Sequence, residues 1–401
     1  MSTSQRFEHS FHALGSEYVT PTAATPVSAP KWLAWNHRLA EQLGWPEAWG
    51  QNENTLGTLA GNAQFESSKP GATAYAGHQF GNYNPQLGDG RAMLLGEWRG
   101  PDGKLVDIQL KGAGPTPYSR GGDGRSPVGP VVREYLMSEA MHALGVPTTR
   151  ALAAVATGDP VYRQQLEPGA ILTRVATSHI RIGTVQFFAM TRQGKGLEEL
   201  VNYVTERHYL AALQEAKRLN PTVTHAQVLL NEVIRALANL TAHWQSLGFI
   251  HGVLNTDNML LCGETVDYGP CAFMDVFAAG QVFSSIDTGG RYAFGNQPGI
   301  VHWNISVLAQ CLLPLIDEDQ EKALVLAQTS VDQFPTLFTD IYSARLAAKF
   351  GLEAMRDTDR ALIETFFNQL EEDKLDFTLA FRWLTEIAND NLENTILEDL
   401  F

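Results

Sequence analysis

Residues 248–269 read GFIHGVLNTDNMLLCGETVDYG and hold the densest set of groups able to do chemistry. His251, Asp257 and Asn258 share one loop, and nine residues beyond Asn258 comes Asp267-Tyr268-Gly269. Enzymes that transfer phosphoryl groups in the kinase manner need a loop ending in a metal-binding Asn. A short strand then ends in a metal-binding Asp before Gly. Oxygen donors of this kind suit Mg²⁺, whose remaining positions phosphates and water complete. Asn258 and Asp267 have that chemistry and spacing. The plainer alternative, two unrelated turns, is weakened by the long helical stretch before them and the short strand between. His251 reads as a structural loop histidine rather than a base.

One position breaks the kinase pattern. Aligning His251, Gly252 and Asn258 puts Val253 where a small-molecule kinase carries its aspartate base. Valine cannot accept a proton, so either the chain is inactive or another residue is the base. Asp257 is the available carboxylate.

The other half of a nucleotide site lies upstream. Asp107-Ile108-Gln109-Leu110-Lys111 reads as a strand delivering a lysine inward. Twenty-three residues later Glu134 falls on a helix, placed to pair with Lys111 and hold it toward phosphates, with Glu139 as the competing partner. Taken singly, a surface Lys and a surface Glu are an equally good reading. Gly88-Asp89-Gly90-Arg91 precedes that strand, where glycine lets backbone N–H groups approach phosphates. Asp123-Gly124-Arg125 is a second Gly-rich loop, unexpected in a kinase. Arg174 and Arg181 flank the expected junction of two lobes and suit bidentate grips on phosphate. Solvated arginines on a strand edge are the alternative. Cys271 reads as a buried, inert thiol rather than a redox-sensitive one.

These groups need a scaffold. Strands are expected over Ala92–Trp98 and Leu105–Leu110 about a turn at Gly100–Gly103, and again over Ala151–Ala156 and Ala170–Ala176. Pro130 opens a helix over Val131–Leu144, and another runs from His225 to Leu247 and stops at Gly248. A strand–loop–strand segment is expected over Phe249–Met274 and amphipathic helices from about 300 to 401. A short helix is expected over Lys31–Leu43. The fold class is therefore α+β, a small β-rich lobe followed by a larger, mainly helical one. Residues 1–70 form an extension packed on the body, 71–180 the first lobe and 181–401 the second.

Composition narrows the function. The 401 residues carry 29 Lys+Arg against 44 Asp+Glu, a net charge of −15 that argues against a nucleic acid polymer as partner. Residues 71–190 nevertheless hold 11 basic and 9 acidic residues, so the cations gather where the nucleotide loops are. Three cysteines at uneven spacing make neither a disulfide framework nor a zinc set. No uninterrupted apolar run long enough for a bilayer is read, and the N-terminus lacks a signal or transit pattern. These point to a cytoplasmic protein, without a membrane partner.

The stretches GHQFGNYNPQLGDGRAMLLGE, LKGAGPTPYSRGGDGR, REYLMSEAMHALGVPTTRALA, LTRVATSHIRIG, GFIHGVLNTDNM, ETVDYGPCAFMD and GRYAFGNQP closely resemble the selenoprotein O family (the YdiU proteins). They run from about 71 to 300, and residues 300–401 match more loosely. The resemblance implies a protein-kinase-like two-lobed pseudokinase that binds ATP in a flipped orientation and transfers AMP to Ser, Thr or Tyr hydroxyls of proteins. It implies ATP contacts at Gly88, Gly90, Arg91, Lys111, Asp123, Gly124, Arg174, Arg181 and Asp267. The proton acceptor falls on Asp257, the ligands of Mg²⁺ (with Mn²⁺ as the alternative ion) on Asn258 and Asp267, and the lysine partner on Glu134. ATP and protein substrates are the implied partners of a monomeric enzyme. A true kinase and a non-catalytic ATP-binding scaffold are the rival readings. Many members end in a redox-active cysteine or selenocysteine tail. The last cysteine in this sequence is Cys311, and the resemblance assigns no residue here to such a tail.

Overall fold

The computed structural model describes residues 7–191 and 194–389. Three short strands come first, β1 (Phe7–Glu8), β2 (Val19–Pro21) and β3 (Lys31–Trp35), then helices α1 (His37–Gln42) and α2 (Glu53–Leu59). β4 (Gly71–Thr73), β5 (Gly77–Gln79) and β6 (Asn82–Asn84) lead to two longer strands, β7 (Ala92–Arg99) and β8 (Leu105–Lys111). β9 (Ser126–Pro127) enters helix α3 (Val128–Ala143), followed by the hairpin β10 (Arg150–Tyr162) and β11 (Leu166–Ala176). Helices α4 (Ile182–Met190), α5 (Gly194–Leu219) and α6 (His225–Leu247) precede the two-residue strands β12 (Phe249–Ile250) and β13 (Ala272–Phe273). The described chain closes with α7 (Gln297–Ile316), α8 (Gln320–Val331), α9 (Phe334–Lys349), α10 (Asp357–Glu372) and α11 (Phe377–Ala388).

The fold is mixed α and β around a large antiparallel sheet. The strand order is β2-β4-β7-β8-β11-β10-β3, with β1 also on β7 and β9 also on β11. Seven of the eight residues of β7 are buried, which places this strand in the core. Trp45, Trp98, Ile108, Leu110, Leu152 and Val155 pack into one cluster on the sheet. β8 carries Lys111 at its end, opposite Ala92 on β7 and Leu172 on β11.

The second core surrounds α6. Thr224 caps its start by accepting from the Gln227 N–H at 3.2 Å, and Gly248 ends it in the left-handed conformation, φ 68°. Its buried face, including Leu229, Val233, Leu237 and Trp244, packs with Val301, Ile305 and Leu308 of α7. Helix and stop agree with the reading of His225–Leu247.

Several local expectations are corrected. Lys31–Trp35 is a strand rather than the start of a helix, because it pairs with β10, Ala34 opposite Ala154. The helix begins only after Asn36, whose side-chain Oδ1 accepts from the Leu39 N–H at 3.0 Å while its Nδ2 donates to the Ala151 carbonyl. α3 starts at Val128, ahead of Pro130, since proline in the first turn forgoes an N–H that would have no partner there. The hairpin β10–β11 is longer than the two runs expected. Among the described residues, Phe294–Ile316 is long and apolar enough to cross a membrane by length and composition, although Asn, Gln and His interrupt its apolar residues. Its apolar side is buried against α6, and Asn304, also buried, donates to the Leu254 carbonyl at 2.9 Å, so it is a core helix. The helices expected from about 300 onward are present to Ala388, and residues 390–401 lie outside the described residues.

Candidate active site

Lys111, at the end of β8, donates to Glu134 Oε2 on α3 at 2.7 Å and also contacts Asp267 Oδ1. Arg174, on the neighbouring strand β11 and opposite Gln109, bonds the other Glu134 oxygen through Nε at 2.7 Å and through Nη2. Glu134 therefore joins two cations that approach from neighbouring strands. Burial alone would raise its carboxyl, but Arg174 and Lys111 outweigh this and hold it below the usual range. Glu139, the competing partner, is taken by Arg150 at 2.7 and 2.8 Å.

Asp267 has φ 68°, one of four non-glycine residues in the left-handed region among those described. Burial would raise its carboxyl, yet Lys111, Arg174 and Arg91 hold it well below the ordinary range, so it stays anionic. His251 anchors this turn from within the core, its Nε2 facing the Val266 carbonyl at 2.9 Å while its N–H donates to Gln297 Oε1. That is the structural role expected of it.

The loop carrying Asp257 is clamped by β5. The His78 N–H donates to Thr256 Oγ1 at 2.8 Å, the Gln79 amide to Asp257 Oδ2 at 3.2 Å, and the Phe80 N–H to Asn255 Oδ1 at 3.2 Å. Tyr292 closes the far side with a 2.6 Å bond to Asn255. Asp257 is only 6% exposed, and its Oδ1 has no hydrogen-bond partner among the described residues. Burial pushes its carboxyl up to about 6. A carboxylate of that affinity with a free lone pair suits proton transfer near neutrality.

Gly77 makes this packing possible, because a Cβ there would run into Asp257 Oδ1 and lie 2.8 Å from Leu87. Gly77→Ala is expected to displace Asp257 and lower catalysis on the order of 10²-fold, the scale of an ångström-sized misplacement. Circular dichroism and melting of the variant check that it folds, and steady-state rates check the loss. An unchanged rate would show that Asp257 need not hold this position.

Gly88, Gly90, Arg91, Lys111, Asp123, Gly124, Arg174, Arg181, Asp257 and Asp267 all line one cavity of about 390 Å³. Asn258 and Glu134 line an adjoining cavity of about 270 Å³, which shares Arg91, Lys111, Asp257 and Asp267 with the first. Arg91 lies exposed at the rim, whereas Arg174 is 4% exposed and committed to Glu134 and to Gln109 at 3.2 Å. Arg181 sits 4.2 Å from the centre of the Tyr75 ring, and its Nη1 donates to the Asp257 carbonyl at 3.0 Å. Its Nη2 is buried with no hydrogen-bond partner among the described residues. Such a donor on a cavity wall fits an anionic oxygen.

Other lining groups carry no assigned role in the sequence reading. Asp89 is buried, accepts from Thr73 Oγ1 at 2.6 Å, and faces Arg181 at 3.8 Å. Arg163, at the tip of the β10–β11 hairpin, grips Asp123 with two bonds of 2.9 and 3.1 Å, holding its carboxyl below the usual range. Arg120 and Arg125 complete seven cationic side chains around the larger cavity against four aspartates. The glycine density of 120–125 was the available signal. Cys271 behaves as expected of an inert thiol, burial pushing it up to about 12.

The donor set also fits a hard divalent cation. Asn258 donates its amide N–H to the Val253 carbonyl at 3.0 Å, which leaves its Oδ1 to act as a ligand. The second oxygen of Asp267 accepts no hydrogen bond among the described residues and is left to act as the other ligand. Oxygen-only donors of this type suit Mg²⁺.

Comparison with known proteins agrees with this chemistry. The family described as Protein adenylyltransferase SelO matches residues 2–400. The chain is 50% identical over 395 residues to Protein nucleotidyltransferase YdiU of Rhodopseudomonas palustris (strain BisB18), covering 98% of this chain and 79% of that protein. To the protein of the same name in Methylorubrum populi it is 51% identical over 382 residues, 95% of this chain and 75% of the relative. To that of Bacillus thuringiensis (strain Al Hakam) it is 49% identical over 392 residues, 98% and 78%. With a cation-walled cavity, a free buried carboxylate and matches along nearly its whole length, the chain belongs to the SelO protein adenylyltransferase family and is a nucleotidyltransferase.

Proposed function

We propose that this enzyme transfers AMP from ATP to Ser, Thr or Tyr hydroxyls of proteins, using a protein-kinase-like arrangement of a sheet-bearing and a helical lobe. The observation that carries the reading is the location of the free carboxylate. Val253 stands at the kinase base position, while Asp257 offers an unpartnered oxygen in a cavity ringed by seven cations. The acceptor hydroxyl oxygen attacks the α-phosphorus, the α–β phosphoanhydride bond breaks and pyrophosphate leaves. Asp257 takes the hydroxyl proton. Lys111, Arg91 and Arg181 neutralise phosphate charge as it shifts toward the leaving group, a positional and electrostatic form of catalysis. Asn258 and Asp267 would hold Mg²⁺, which when bound supplies further neutralisation of phosphate oxygens.

The test offers ATP labelled at either the α- or the γ-phosphate, with lysate proteins as acceptors. Label from α is expected on protein, with pyrophosphate released and an AMP-sized mass increase. Label from γ alone would identify a kinase instead. Absence of both, in the wild-type enzyme and in Asp267→Ala alike, would identify a non-catalytic ATP-binding protein.

A further inference from the structure

A second cluster lies at the other end of the β7–β8 ladder. β1 pairs Glu8 with Glu97, and the chain then turns so that His9 and His12 stand over β7. His9 Nε2 faces the Ser67 carbonyl at 2.6 Å and His12 Nε2 the Lys69 carbonyl at 2.7 Å. A carbonyl only accepts, so both rings carry their proton on Nε2 and present a lone pair on Nδ1. Both Nδ1 atoms are buried with no hydrogen-bond partner among the described residues. The rings lie 5.1 Å apart, nearly perpendicular at 84°.

Glu97 is the third member, 0% exposed. It accepts from the Phe11 N–H at 2.8 Å through Oε1 and from the Ser10 N–H at 2.9 Å through Oε2. Ser10 Oγ and Tyr203 also reach Oε1, at 3.3 and 3.4 Å, so Oε2 keeps a lone pair. One ligand atom from each of His9, His12 and Glu97 lies within 4.8 Å of the other two. Gly96 permits the approach. Its φ is +138°, and a Cβ there would stand 2.8 Å from His9 Cε1 and 3.0 Å from His9 Nδ1.

We propose that His9, His12 and Glu97 form a binding site for a zinc-type transition-metal ion, with solvent in the fourth position. Two neutral imidazoles and one carboxylate are a donor set for Zn²⁺ rather than Mg²⁺. Each imidazole donating its far N–H to a backbone carbonyl is the outer support that orients metal-bound histidine. Local charge favours a cation as well. Glu97 lies opposite Asp107 across the ladder, and the two share Arg207 at 3.8 and 2.7 Å. Both histidines are partly exposed, so the cluster lies close to the protein surface. Lys111 is four residues beyond Asp107 on β8, roughly 14 Å at strand spacing, so the site is separate from the nucleotide cavity. Bound metal would tie the N-terminal segment to β7 and the 67–69 turn.

The experiment uses the full chain stripped by chelator and dialysed against Zn²⁺ with excess Mg²⁺ present. One Zn²⁺ per chain is expected, together with a higher melting temperature and, on substitution with Co²⁺, the visible absorption of a tetrahedral site. The double variant His9→Gln/His12→Gln should lose stoichiometric zinc, and His12→Gln alone should bind at least tenfold more weakly. Both should melt like the metal-free wild type and retain AMP transfer. Absence of stoichiometric zinc in the wild type, or equal binding by the double variant, overturns the assignment. An Asp267→Ala variant that loses the zinc also overturns it, because the ion would then belong to the nucleotide cavity.

Discussion

Asp257→Asn is expected to lower AMP transfer by about 10²–10⁴-fold, the range that a positioned general base contributes. The substitution keeps shape and volume, so the loop held by His78, Gln79 and Phe80 should persist. What it removes is the ability to accept a proton at a buried oxygen that the described residues leave without a partner. Asp257 does not carry a fold-critical ion pair, as Arg181 bonds its backbone carbonyl and not its carboxylate. The melting temperature should therefore stay at or above that of the wild type, because a buried, uncompensated carboxylate is replaced by a neutral amide. Rates measured from α-labelled ATP, beside a melting curve, separate the two effects. A variant that melts normally and retains its rate would move the base elsewhere.

Glu134→Ala has the largest expected effect on stability, about 3–5 kcal/mol, the scale for removing one partner of a buried ion pair. Arg174 is 4% exposed and would lose both of its bonds to Glu134. Asp267, at 3.4 Å, would be its nearest remaining anion, and Lys111 already engages that carboxylate. Lys111→Met provides the contrast. It leaves Glu134 paired with Arg174, so the fold should remain while activity falls through lost phosphate neutralisation. Urea unfolding of both variants distinguishes the cases. A collapsed transition in Lys111→Met, or an unaltered one in Glu134→Ala, would reverse these roles. The pH dependence has a definite sign. Glu134 is held below its ordinary value of 4.5, so its pairing stabilises the fold above that value and is lost as pH falls through the lowered one.

Much of the candidate site is legible in the sequence, because its groups come in short segments with fixed internal spacing. Asn258 and Asp267 share a loop system of a dozen residues. Lys111 and Glu134 are joined by one loop, the short strand β9 and the first two turns of α3. What could not be read was competition. Glu134 and Glu139 lie on the same helix, and only the position of Arg150 across from Glu139 leaves Glu134 to Lys111. By residue type and position in the sequence, Arg174 groups with the free phosphate cations. In the fold its guanidinium is engaged by Glu134, an acid 40 residues away.

The N-terminal strands escaped for a related reason. Lys31–Trp35 has apolar residues consistent with either helix or strand, and the edge of β10 decides for strand. His9 and His12 are unremarkable in sequence, since nothing near them marks Glu97, about 90 residues on, as their neighbour.

By itself, the sequence determined the local elements and the chemical types. Helix α6 between Thr224 and Gly248, the strand–turn–strand of 92–111 and the Asn258/Asp267 oxygen pair are set by capping, periodicity and spacing within a few residues. Only the tertiary structure decided which charges are spent on one another and which are left free. Gln79 reaches Asp257 across 178 residues, Arg163 reaches Asp123 across 40, and burial lifts Asp257 while cations lower Asp267. Proton affinity and ion pairing depend on what surrounds a group in space, and desolvation and Coulomb energy act through distance rather than along the chain.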